Sequence, residues 1–155
     1  MKELERLVHG GEQVLDLGSG SGILAITAIL LGAKHASGVD IDPKAEDIAR
    51  ENAAYNGYAS PEFTALTGNV TQDQELMTRL AGREYQLVLV NIVADVIIGL
   101  APVLPNFLGK DTVLLCSGIL DVRLPDVTAA LERAGIRIEE VKAKEDWRSV
   151  RCAIG

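Results

Sequence analysis

The chain has 155 residues, of which 48% are hydrophobic, 24% charged and only 4% aromatic, and it carries a net charge of −7 at neutral pH. That length suffices for one domain with a buried core, and the apolar share excludes a disordered chain. The acidic balance argues against a nucleic-acid partner, which calls for a basic face, and is compatible with a basic protein substrate.

Residues 2–9 read as a short leading helix. It is charged from Lys2 to Arg6 with no apolar run behind it, which is not the pattern of a secretory signal. Residues 13–18 make a first strand and 22–32 a helix that is apolar all round, hence expected to be buried. The run from Ile23 to Leu31 is too short to cross a bilayer, so no membrane association is expected and the cytoplasm is the expected location. Residues 35–40 form a second strand. Asp42 before Pro43 starts a helix with an acid at the cap and proline in the first turn. Its apolar face is Ala45, Ile48, Ala49 and Ala53, and it ends near Asn56-Gly57.

A strand is expected around 62–67, a helix from about 72 to 81, and a strongly apolar central strand over 85–91. The helical stretch 95–108 contains Pro102 and Pro105, which must kink or split it. A strand at 112–117 follows, then a helix with Val127, Ala130, Leu131 and Ala134 on one face, closed by Gly135. Two strands, 136–142 and 147–154, joined by Lys144-Glu145-Asp146, finish the chain. With so few aromatics, the core must be Leu, Val, Ile and Ala, the composition of a parallel sheet covered on both faces.

Five βα units and a terminal hairpin make an α/β fold: a Rossmann-like doubly wound sheet of seven strands, mostly parallel with one antiparallel strand, and helices on both faces. Without repeats or linkers, residues 1–155 read as a single domain. Cys116 and Cys152 lack metal-ligand spacing and read as buried small apolar residues on late strands, not as a disulfide. His9 and His35 stand at element boundaries with no companion that would make either a ligand or a base. No metal site is expected.

The chemistry sits at the strand ends. Val14-Leu15-Asp16-Leu17-Gly18-Ser19-Gly20-Ser21-Gly22 is an apolar strand running into a glycine-rich turn that opens a helix. Gly38-Val39-Asp40 then ends the second strand in an acid, placed to accept hydrogen bonds from both hydroxyls of a ribose. Gly18 and Gly20 allow a tight turn and close approach of a ligand. The dinucleotide fingerprint wants a small residue where this chain has Ile23. Asp16, at the mouth of the loop, would repel a pyrophosphate but suits a ligand with positive charge. S-adenosyl-L-methionine, with its sulfonium and ammonium groups, meets both conditions, and S-adenosyl-L-homocysteine would be the product.

Asn69, after the third strand, is placed either to meet the adenine amino group or to make a plain turn. Asn91 ends the fourth strand at the switch point of the sheet. Its side chain and the neighbouring carbonyl can accept hydrogen bonds from an incoming amine, and the competing role is a helix cap near Asp95. Ser117-Gly118-Ile119-Leu120-Asp121 ends the fifth strand and is given mainly structural weight.

V-L-D-L-G-S-G-S-G-I-L-A-I (14–26), G-V-D-I-D-P (38–43), E-N-A-A-Y-N-G (51–57), N-I-V-A-D (91–95), S-G-I-L (117–120) and D-W (146–147) occur in that order. Together they resemble the catalytic domain of the bacterial ribosomal protein L-eleven methyltransferases, the PrmA family, from residue 12 onward. The resemblance implies that Gly18, Asp40 and Asn91 contact S-adenosyl-L-methionine, with Asp40 on the ribose, and that the activity is methylation of amino groups on a ribosomal protein. Relatives of this kind also carry an N-terminal substrate-recognition domain and a segment like F-G-T-G-x-H-P-T-T before the catalytic domain. This sequence holds neither, so the expectation is a catalytic domain alone. Two other classes stay open: a non-catalytic cofactor-binding module, and a small-molecule methyltransferase, since fold and cofactor motifs do not fix the acceptor.

Overall fold

The structure, a computed structural model, describes residues 2–155. Seven strands form one sheet in the order β3-β2-β1-β4-β5-β7-β6. The strands are β1 (Gln13–Leu17), β2 (His35–Asp40), β3 (Phe63–Thr67), β4 (Leu87–Asn91), β5 (Val113–Leu120), β6 (Ile136–Lys144) and β7 (Trp147–Ile154). The helices are α1 (Lys2–Leu7), α2 (Ile23–Leu30), α3 (Pro43–Tyr55), α4 (Gln74–Ala81), α5 (Ala94–Leu100) and α6 (Leu124–Arg133). Two compact units share these elements. One comprises the residues up to Asn69 with Tyr85–Leu87, the other Val70–Glu84 with Val88–Gly155.

In the first unit β1, β2 and β3 are parallel, with Leu15 opposite Ser37 and Val39 opposite Leu66. The interior of β1 and β2 is buried without alternation, as a strand covered on both faces requires. Asp42 caps α3 by accepting the Lys44 backbone N–H at 2.9 Å, with Pro43 in the first turn. Ala45, Ala49 and Ala53 bury the i, i+4 row of that helix, but Ile48 lies off the row and is 47% exposed. Helix α2 departs from expectation in the same way. Ala25, Ile26, Ala28 and Ile29 are buried, while Ile23 and Leu30 are exposed at 59% and 57%. An apolar surface all round does not bury a helix that has covering partners on one side only. His35, buried in β2, pairs with the Ser37 hydroxyl at 2.8 Å and with the Pro61 carbonyl.

The second unit splits the stretch 95–108 as its prolines demand, into α5 and a 3-10 turn at Leu104–Phe107. Strand β5 runs past residue 117 to Leu120, with a bulge between Cys116 and Ile119. Strand β7 is antiparallel to both β5 and β6, and only Glu145-Asp146 separate it from β6. Val127, Ala130 and Leu131 are the buried face of α6. Cys116 and Cys152 are free and buried on the paired strands β5 and β7. Burial pushes both thiols up, Cys152 to about 12, so neither is a thiolate near neutral pH. Among the described residues no helix is long and apolar enough to cross a membrane.

Candidate cofactor and acceptor sites

The turn after β1 is fastened to the end of β2. The Gly18 and Ser19 backbone N–H groups donate to the Val39 carbonyl at 2.8 and 3.1 Å. The Gly20 N–H donates to Asp40 Oδ2 at 2.9 Å, and the Asp42 N–H donates to Asp40 Oδ1 at 2.9 Å. One carboxylate therefore aligns both the glycine turn and the start of the next helix. Each oxygen has spent one lone pair and keeps another on a half-exposed surface, a fixed two-pronged acceptor suited to a vicinal diol.

Two glycines are needed here for different reasons. Gly20 has φ +54 and a Cβ there would meet nothing within 4 Å, so its role is to turn the chain and leave its face open. Gly22 has φ +81, and a Cβ there would lie 3.0 Å from the Ala49 Cβ, so its role is close packing of α2 on α3.

Asp16 lies elsewhere than the sequence suggested. It is 1% exposed and sits inside the sheet layer, not at the mouth of the turn, because β1 has no solvent face. Neither of its oxygens has a hydrogen bond. Burial pushes its carboxyl up to about 7. The Ala25 N–H pulls the other way without reaching full hydrogen-bond geometry, and the nearby Asp40 charge adds to the rise. Asn69 is half-buried directly after Gly68, whose N–H donates to the Asp40 carbonyl at 2.9 Å. The first unit thus gathers Asp16, Gly18, Gly20, Asp40 and Asn69 around the ends of β1, β2 and β3.

Asn91 belongs to the second unit, where it is the one exposed residue of an otherwise buried β4. The cap of α5 is Val93, with no side-chain hydrogen bond, so Asn91 is not spent as a helix cap. The Ile92 N–H donates to the Ser117 carbonyl at 3.3 Å. Arg123 binds Asp95 in the first turn of α5 at 2.7 Å and Asp126 at 3.2 Å. Gly118 has φ +80 and comes close to Asn91: a Cβ there would stand 2.8 Å from Asn91 Oδ1. Sequence reasoning gave this segment mainly structural weight. The signal was present, since a glycine inside a strand marks a bulge or a close approach.

An adenosyl methyl donor offers two ribose hydroxyls and two cationic centres. The free lone pairs of Asp40 fit the first. Among the described residues no group of three His, Cys, Asp or Glu side chains could hold a metal ion.

The sheet order and the acid-tipped second strand beneath a glycine turn define the Rossmann-like fold of class I methyltransferases. The family model for "Ribosomal protein L11 methyltransferase (PrmA)" matches residues 1–153, and the chain belongs to that family. It is 36% identical over 153 residues to the ribosomal protein L11 methyltransferase of Agathobacter rectalis, covering 97% of this chain and 47% of the relative. The corresponding protein of Heliobacterium modesticaldum is 38% identical over 150 residues, covering 97% and 45%. A crystal structure of ribosomal protein L11 methylase from Lactobacillus delbrueckii subsp. bulgaricus superposes with a TM-score of 0.87 at 30% identity, over 99% of this chain and 75% of that one. The chain spans about half the length of the curated relatives it matches.

Proposed function

We propose that this chain transfers a methyl group from S-adenosyl-L-methionine to an amino nitrogen of a protein, ribosomal protein L11 being the acceptor its family membership favours. The observation that carries the reading is the Asp40 carboxylate, locked by the Gly20 and Asp42 amides with a lone pair free on each oxygen. When bound, the cofactor supplies an electrophilic methyl on a sulfonium. Asp40 accepts hydrogen bonds from the ribose, the turn at Gly18 and Gly20 admits the donor without a Cβ in the way, and Asn69 meets the adenine edge. The cationic end favours loss of the buried Asp16 proton and meets the carboxylate that is left.

The acceptor needs aiming more than activation by a strong base. An ordinary lysine amine, with a pKa of about 10.4, is neutral in only about one molecule in 2,500 at pH 7. Asn91 Oδ1 and the Ile92 carbonyl can each take an N–H of the neutral amine, which leaves its lone pair free to attack. Positioning of that kind is worth several orders of magnitude in rate.

The test is transfer of labelled methyl from S-adenosyl-L-methionine to purified ribosomal protein L11, with calorimetry of S-adenosyl-L-homocysteine alongside. Incorporation together with 1:1 binding is the expected result. Failure to bind S-adenosyl-L-homocysteine overturns the reading as a whole, and binding with no turnover on L11 or a panel of amine acceptors removes the enzyme and leaves a binding module.

A further inference from the structure

We propose that Gly118 is a positioning residue for the methyl acceptor: the Cβ it lacks makes the room in which the Asn91 carboxamide stands. This rests on the reading of Asn91 as the group that orients the amine.

The geometry is one of replacement. Built on the Gly118 backbone, a Cβ lies 2.8 Å from Asn91 Oδ1, 3.4 Å from the Ile92 carbonyl oxygen and 3.5 Å from the Ile92 nitrogen. The last two are tight or ordinary contacts; the first is one that side chains do not make, so something must move. The Ile92 backbone is held in place. Its N–H is bonded to the Ser117 carbonyl at 3.3 Å, and the helix that follows is anchored by Arg123 on Asp95 at 2.7 Å. Both fastenings come from the chain segment that contains Gly118. What can yield is the Asn91 side chain, exposed at the tip of β4 with two rotatable bonds and not engaged as the cap of α5. An alanine at 118 therefore spends its disturbance on the direction of one carboxamide.

The bulge between Cys116 and Ile119 gives the same segment its aim. Relative to β7, β5 holds an extra residue at the stretch that contains Gly118, the residue closest to the Asn91 carboxamide, and bulges beside functional groups commonly serve to re-aim side chains. A displacement of about 1 Å at an aligning group costs on the order of a hundredfold in rate. Gly118 acts through Asn91 and touches no substrate.

The experiment compares Gly118→Ala with Gly135→Ala, in wild-type and Asn91→Ala backgrounds. Gly135 has φ +85 with nothing within 4 Å of its would-be Cβ, so its alanine variant reports left-handed strain without a clash. In the protein alone, Gly118→Ala should shift the Asn91 side-chain amide resonances and Gly135→Ala should not. With ribosomal protein L11 as acceptor, Gly118→Ala should lower kcat by about 10- to 100-fold while S-adenosyl-L-homocysteine affinity stays within about twofold. In the Asn91→Ala background the same change should cost less than about twofold. Unmoved amide resonances, or an equal loss in both backgrounds, would overturn the inference. Full turnover in Asn91→Ala alone would remove the acceptor role of Asn91, and the amide resonances would still report whether Gly118 sets its direction.

Discussion

Replacing Asp16 by asparagine should change how stability depends on pH, with a sign opposite to that usual for a carboxylate. In the folded protein the buried Asp16 keeps its proton up to about pH 7, whereas its ordinary value is 3.8. Between these values the folded state binds a proton that the unfolded chain has lost, so stability falls as pH rises. The slope is about 1.36 kcal/mol per pH unit, or about 4 kcal/mol over the whole interval. Between about pH 5.5 and 8.5, a window clear of most carboxylate titrations, the fall is about 2 kcal/mol, a sizeable part of a typical domain's 5–15 kcal/mol. The asparagine variant lacks this component. Urea unfolding of both proteins across the window should therefore show the variant gaining about 2 kcal/mol on the wild type toward high pH. The constant offset between them will depend on how the amide fits, but the slope will not. Parallel curves would refute the argument and mean that Asp16 is ionised in the fold. A cationic ligand that acts on Asp16 would also lower its pKa, so S-adenosyl-L-methionine binding at pH 7 should release protons, seen as a calorimetric heat that varies with the buffer's ionisation enthalpy.

Asp40→Ala should weaken S-adenosyl-L-homocysteine binding by about 1.5–3 kcal/mol, the scale of hydrogen bonds to a charged group, and unchanged affinity by calorimetry would remove Asp40 from the site. Gly22→Ala combines a left-handed φ with a 3.0 Å approach to Ala49 and should cost about 1–3 kcal/mol in denaturant unfolding; a neutral result would mean that α2 and α3 can part freely. Asp42→Ala removes the acceptor for the Lys44 N–H and should cost about 1 kcal/mol, checked by thermal denaturation followed by circular dichroism.

Where local chemistry decides the outcome, the sequence was easy to read. Asp42-Pro43 is a helix start that few other structures could use, and α3 begins there. Pro102 and Pro105 had to interrupt a helix, and they do. The glycine turn and Asp40 meet as the spacing of β1 and β2 predicts, because parallel neighbours in register bring their ends together. Features that depend on distant partners were harder. Periodicity identifies α2 as a helix but does not say which of its sides is covered, so Ile23 and Leu30 were expected inside. Asp16 reads as a loop-mouth acid until packing on the sheet buries both faces of β1. Ser117-Gly118 breaks an apolar run and looks like the end of β5, whereas it is a bulge in a strand that continues to Leu120. The group Gly118 accommodates lies on another strand, and nothing local in the sequence names it.

Strand β7, the latest in chain order, is flanked on both sides by earlier ones. Before the β6–β7 hairpin docks, β5 has a vacant hydrogen-bonding lane bordered by apolar side chains, open to any strand that reaches it. The intended occupant competes there with the same hairpin from a neighbouring molecule. During refolding at high concentration, exchanged dimers linked through that lane are the expected by-product, and their yield should fall as the refolding concentration is lowered.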